Sequence, residues 1–151
     1  MNPQELLETY SQNAQAFIKA AKATPTEKLS QSPSDGEWSP AFVIHHMADS
    51  EIQFGARFAK TLSEDNPNIV LFDEEKFPEG LHYDKRSVAL SIASFEATHN
   101  LNFEILKNAS ADDWNRTSMH PEKGTVYLTS WVKSCGGHIG SHLEQLQGLL
   151  K

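Results

Sequence analysis

The last 24 residues read LTSWVKSCGGHIGSHLEQLQGLLK, and Leu128, Val132, Cys135, Ile139, His142, Leu146 and Leu149 recur there in steps of four and three. An unbroken seam of this period belongs to a helix that must lie lengthwise against other helices to be covered. The seam constrains the fold more than any other feature of the chain, and it carries an oddity. His142 sits among its inward positions.

Three further stretches have the same period. Leu7, Tyr10, Ala14, Phe17 and Ala21 predict a helix over residues 3–23. TPTEKLSQSPSDGEW then reads as a long turn. A second helix begins at Ser39, whose side chain suits an N-cap, with Pro40 at the first helical position, where a missing N–H costs nothing. Val43, His46 and Met47, Ser50, Phe54, Phe58 and Leu62 follow one of its faces, and Asn-Pro in SEDNPN should end it. Val88, Ile92, Phe95, His99, Phe103 and Leu106 mark a third helix, and the seam is the fourth, from about Leu128. Helices of about 20 residues reach about 30 Å. Four such rods sharing a core predict an all-α fold, a four-helix bundle formed as a single domain over residues 1–151. NIVLFDEEKFPEGLHYDKR and ASADDWNRTSMHPEKGTVYL are long for connections and favour crossovers over a plain up-down meander, with a short turn at ADDW and a tight one at PEKG.

Composition narrows the function. A net charge of -7 without a Lys/Arg cluster speaks against nucleic-acid binding. No apolar run approaches the roughly 18 residues of a membrane span, and MNPQELLETY lacks the apolar core of a signal peptide. A lone cysteine, Cys135, excludes an intrachain disulfide and fits a cytoplasmic location. Any metal must therefore be held by nitrogen and oxygen.

Nitrogen donors are available. His138 and His142 are four apart and stack on one helical face, so both imidazoles can aim at a point about 2.0–2.1 Å away. Gly136, Gly137 and Gly140 surround them. Each glycine costs a helix interior roughly 0.8–1.0 kcal/mol against alanine, and room for a neighbouring helix, ligand or solvent is one reason to keep it. Of the adjacent pair in VIHHMADSE, His46 continues the inward face, and His45, turned about 100° from it, is expected at the surface or flank. His46, His138 and His142 then form a three-nitrogen site with an open position, the pattern of a catalytic metal. A His-x-x-x-His pair alone would carry little weight, because it recurs by chance in helices.

These residues resemble the DinB/YfiT-like metalloenzyme family. WSPAFVIHHMADSEIQFGARF is similar to the family's second helix, MHPEKGTVYLTSW to the turn before its last helix, and HIGSHLEQL to its closing His-x-x-x-His motif. The resemblance implies a four-helix bundle, a metal on the same three histidines and a homodimer. It also implies one of two activities: transfer of a low-molecular-weight thiol to an electrophile, or metal-dependent hydrolysis. The thiol S-transferase is the leading expectation, hydrolysis the alternative, and a non-enzymatic metal- or ligand-binding bundle for stress response a third. Close relatives carry His and Arg where this chain has Cys135 and Gly137, and His where it has Ile139 and Glu51. The surroundings of the triad are therefore its own.

A divalent ion is the expected cofactor, zinc or nickel foremost, since imidazole nitrogens suit both. A small-molecule substrate is the expected partner. The candidate catalytic groups are Asp49, His99 and His120. Asp49 could orient a ligand imidazole or be a solvated helix carboxylate. His99 could line the cavity or be a satisfied core histidine, and His120 could cover the site mouth or make its turn. Glu51 is expected at the surface, Cys135 in the core.

Overall fold

The computed structural model describes residues 1–151. Helix α1 spans Pro3–Lys22, α2 Pro40–Ser63, a single turn α3 Phe77–Gly80, α4 Val88–Lys107 and α5 Leu128–Leu149, with strands β1 Thr117–His120 and β2 Gly124–Tyr127 between α4 and α5. The helix starts follow local chemistry. Asn2 accepts from Gln4 N–H ahead of Pro3, Ser39 accepts from Phe42 N–H ahead of Pro40, and Ser87 accepts from Leu90 N–H. The C-terminus of α2 is closed by Arg116, which donates to the carbonyls of Thr61 and Glu64. A cation there satisfies carbonyls that the helix leaves unpaired.

Helices α1 and α2 each pack on both α4 and α5, so α1 lies diagonal to α2 and α4 diagonal to α5. Contacts give the directions. Asn13 bonds the carbonyl of Gly136 and Lys28 that of Leu150, so α1 and α5 run parallel. His45 meets Ser91 and Glu51 meets Asn102, so α2 and α4 are parallel. His46 faces His142 while Arg57 lies over Trp131, which makes α2 antiparallel to α5. The bundle is up-down-down-up. Residues 64–87 must therefore return along its whole length, whereas residues 108–127 stay at one end and cross its diagonal.

The returning segment has more order than its sequence suggests. Short 3₁₀ turns at Glu74–Lys76 and Tyr83–Lys85 flank α3. The end connection also differs from expectation, because beyond the turns it folds into a hairpin. β1 and β2 pair from Thr117↔Tyr127 to His120↔Gly124, and Gly124 takes the positive φ of 75° that the tight turn needs. Ile69 N–H and Met119 N–H bond Met119 O and Pro67 O, tying the start of the returning segment to β1. Trp131 Nε1 donates to Ser118 Oγ at 2.8 Å, which anchors α5 to the same hairpin.

The core is a cluster contributed by all four long helices, including Ala14, Phe17, Val43, Met47, Phe58, Phe95, Leu106, Val132, Ile139 and Leu146. Phe17 and Phe95 join α1 to α4 with ring centroids 5.2 Å apart. No helix is long and apolar enough to cross a membrane.

Candidate metal centre

Three imidazoles from two antiparallel helices meet where the first turns of α2 face the second half of α5. The ligand nitrogens of His46, His138 and His142 all lie within 4.8 Å of one another. The Nε2 atoms of His46 and His138 are 3.1 Å apart. Two nitrogens bound to one tetrahedral zinc-type ion are about 3.3 Å apart, so the arrangement fits an ion with little rearrangement.

The rings are held by neighbours. His142 Nδ1 donates to Gln145 Oε1 at 2.7 Å, which leaves Nε2 with its lone pair free for a ligand. Trp38, just before α2, packs its indole 5.0 Å from His46 and stacks at 18° on His142. Burial, followed by the neighbouring His142 and His138, lowers the pKa of His46 to about 3. Burial, then His142 and Arg57, lowers that of His138 to about 4. Both are therefore neutral near pH 7, the form that coordinates a metal. His138 Nδ1 is buried without a hydrogen-bond partner.

The glycines of α5 serve mainly another purpose. A Cβ on Gly136 would stand 3.4 Å from the backbone of Tyr10, and one on Gly140 3.0 Å from Asn13 Nδ2. Their room is taken by α1. Gly137 faces open space.

Two neighbouring positions are more buried than the sequence suggests. His45 is not at the surface: it is 0 % exposed, with Nδ1 2.7 Å from Ser91 Oγ, because α4 covers the flank of α2 that the sequence left unassigned. Glu51 is not at the surface either. At 1 % exposure it accepts from Tyr10 Oη, Asn102 Nδ2 and Cys135 Sγ, with His99 Nδ1 at 3.5 Å. Four polar partners make a buried carboxylate tolerable. Burial, then Glu51, pushes the Cys135 thiol well up, so this cysteine is a core group bound to Glu51.

The catalytic candidates lie away from the imidazole cluster. Asp49 receives both guanidinium nitrogens of Arg86, at 2.9 and 2.7 Å, and Tyr83 Oη at 2.6 Å. It pins the returning segment to α2. His99 belongs to the Glu51 group and packs 4.5 Å from Tyr10. His120 Nδ1 accepts from the backbone N–H groups of Glu122 and Lys123, and so makes its turn. The acidic group that does reach the cluster is Glu74, with Oε2 3.7 Å from His46 Nε2. It had no motif or period to mark it, since it arrives on the returning segment. Ser50, Phe54, Arg57, Phe72, Glu74 and His138 line a cavity of about 190 Å³ here.

A model described as the DinB superfamily matches residues 9–146. A protein of Oceanobacillus iheyensis named "Putative metal-dependent hydrolase" is 31% identical over 125 residues, covering 83% of this chain and 72% of that protein. One of Bacillus cereus with the same name is 28% identical over 152 residues, covering 98% and 87%. Among solved structures, YfiT from Bacillus subtilis, described as a probable metal-dependent hydrolase with an unusual four-helix bundle topology, superposes with a TM-score of 0.87 at 22% identity, covering 97% of this chain and 85% of that one. A mycothiol-dependent maleylpyruvate isomerase superposes with a TM-score of 0.79 at 14% identity, over 97% of this chain and 61% of its own.

Proposed function

The chain belongs to the DinB superfamily, and from that premise we propose that it is a metal-dependent enzyme acting on a small molecule, with His46, His138 and His142 as the protein ligands of a divalent ion. The observation that carries this reading is the convergence of three imidazole nitrogens within 4.8 Å. Zinc and nickel both suit such a donor set. A divalent ion held there supplies Lewis acidity and brings the ionisation of a water or a thiol into the neutral range.

The remaining work falls to the chain. Three imidazoles from two helices leave one face uncovered, as a catalytic rather than a structural site requires. Trp38 shields His46 and His142 on one side. Glu74 stands beside the cluster with its side chain 52% exposed, so it can take a proton from the nucleophile and release it to solvent. A carboxylate in that position favours hydrolysis, in keeping with the names its relatives carry.

Thiol transfer is the second reading. It needs no protein base, and the mycothiol-dependent isomerase of similar fold supports it. The two separate in one experiment on zinc- and nickel-loaded protein. Ester and amide substrates are assayed without thiol, and bimane electrophiles with low-molecular-weight thiols, for the parent chain and Glu74→Gln. Hydrolysis is expected, with a loss of about 10²-fold or more in the variant, the usual scale of general-base catalysis. Thiol-dependent turnover indifferent to Glu74→Gln would favour transfer instead. Turnover in neither assay would contradict an enzyme.

A further inference from the structure

The chain has three arginines, and two are engaged by protein oxygen. Arg86 grips Asp49, and Arg116 bonds the carbonyls of Thr61 and Glu64. Arg57 has no such partner. It enters no ion pair, and none of its guanidinium nitrogens donates to a side chain or carbonyl of the protein. A guanidinium offers five N–H donors in a planar fork, and these are rarely left without an acceptor in a partly buried place.

The group is nonetheless held in position. Its Cζ lies 4.7 Å from the ring centre of Trp131 on α5, 5.2 Å from Phe54 one turn back on α2, and 5.7 Å from Phe72 on the returning segment. Three aromatic faces hold a cation without consuming its hydrogen bonds. The cavity Arg57 lines is also lined by His138, Glu74 and Ser50. Glu74, the carboxylate of that cavity, makes its close contact with His46 and does not pair with Arg57. A positive fork prepared for an oxyanion thus opens onto the same small space as a candidate metal ligand, in a chain of net charge -7.

We propose that Arg57 is the specificity residue of this centre, binding a carboxylate or equivalent oxyanion of the substrate while the reacting group lies toward the histidines. The substrate class is therefore small organic acids, or thiols and esters bearing an acid group. A cavity of about 190 Å³ has room for a compact acid. Arg57 touches no other acceptor, so bidentate pairing with an incoming carboxylate displaces only water.

This rests on the function proposed above, but its test separates the two. Malonate, inorganic phosphate and the neutral isostere malonamide are titrated by calorimetry into metal-free and zinc-loaded protein, for the parent chain, Arg57→Met and Arg57→Lys. Metal content is measured in parallel. Malonate is expected to bind both forms saturably, and malonamide neither. Arg57→Met, which keeps an apolar stem between the rings, should weaken malonate at least tenfold with zinc content unchanged. Arg57→Lys, which keeps the charge without the fork, should fall between, and it decides the matter should the methionine variant not fold. Phosphate binding as tight as malonate would make the subsite one for oxyanions in general, within the proposal. Equal affinity of the parent and both variants for malonate, binding of malonamide as tight as malonate, or no saturable binding of either anion would overturn it. Zinc failing to bind any variant would count against the metal centre alone, because the metal-free titrations still report on Arg57.

Discussion

At the scale of single residues, the site divides into the three imidazoles that converge on one point and the groups that hold the frame. Asp49 is the clearest case of the second. Its carboxylate is occupied by Arg86 and Tyr83 and does not touch the imidazoles. Asp49→Asn is expected to lower stability by about 2 kcal/mol, less than the loss of a fully buried pair because Arg86 keeps some solvent. Urea unfolding measures that loss, and bound zinc should stay at the parent level. A variant that unfolds normally but loses zinc would instead make Asp49 part of the centre. The sequence separates His46 from His45 because one face of α2 carries the apolar period, and His46 is the one that meets His138 and His142. Burial of His45 and Glu51 was not legible. His45 lies on the flank covered by α4, and Glu51 points to the bundle centre among groups of α1, α4 and α5; a single helix does not reveal which of its flanks its neighbours will cover.

At the scale of elements, the helices could be read because each carries its own start signal and a continuous stripe. Ser39-Pro40 and Ser87 cap where their chemistry says they should. The hairpin is not legible because strands of four residues leave no alternation long enough to distinguish from a turn. Glu74 is hidden for a related reason: its place follows from the path of residues 64–87 and not from any local pattern. Glycines give a sharper test of how the helices fit. Gly137 faces open space, so Gly137→Ala should stabilise the protein by about 0.8–1.0 kcal/mol through helix propensity alone. A Cβ on Gly55 would stand 2.6 Å from Asn102 Oδ1, and Asn102 is tied to Glu51, so Gly55→Ala should destabilise by about 1–3 kcal/mol despite the same propensity gain. Thermal unfolding of the two variants should move in opposite directions. A rise in both would mean that α2 and α4 are not in the close contact described.

At the scale of the whole molecule, the buried histidines tie stability to pH. Burial lowers His45 to about 4, His46 to about 3 and His138 to about 4, against 6.5 in the unfolded chain. Below pH 6.5 the unfolded chain binds protons that the metal-free folded chain does not, so stability is full above 6.5 and falls as pH drops toward 4. The urea midpoint of metal-free protein should accordingly be lower at pH 5 than at pH 7. An unchanged or higher midpoint would mean that these imidazoles are not withdrawn from solvent as described. Zinc in excess at pH 7 should raise the midpoint, since an ion bound only by the folded chain stabilises it by mass action.

Bundle topology and packing bring His46 on α2 to His138 and His142 on α5. The most direct test is elemental analysis of protein equilibrated with zinc and freed of excess, for the parent chain beside His142→Ala. About one ion per parent chain and essentially none in the variant is the expected result, since removing one of three nitrogens opens the site. A parent chain that holds no ion, or a variant that keeps a full equivalent, would contradict the centre itself.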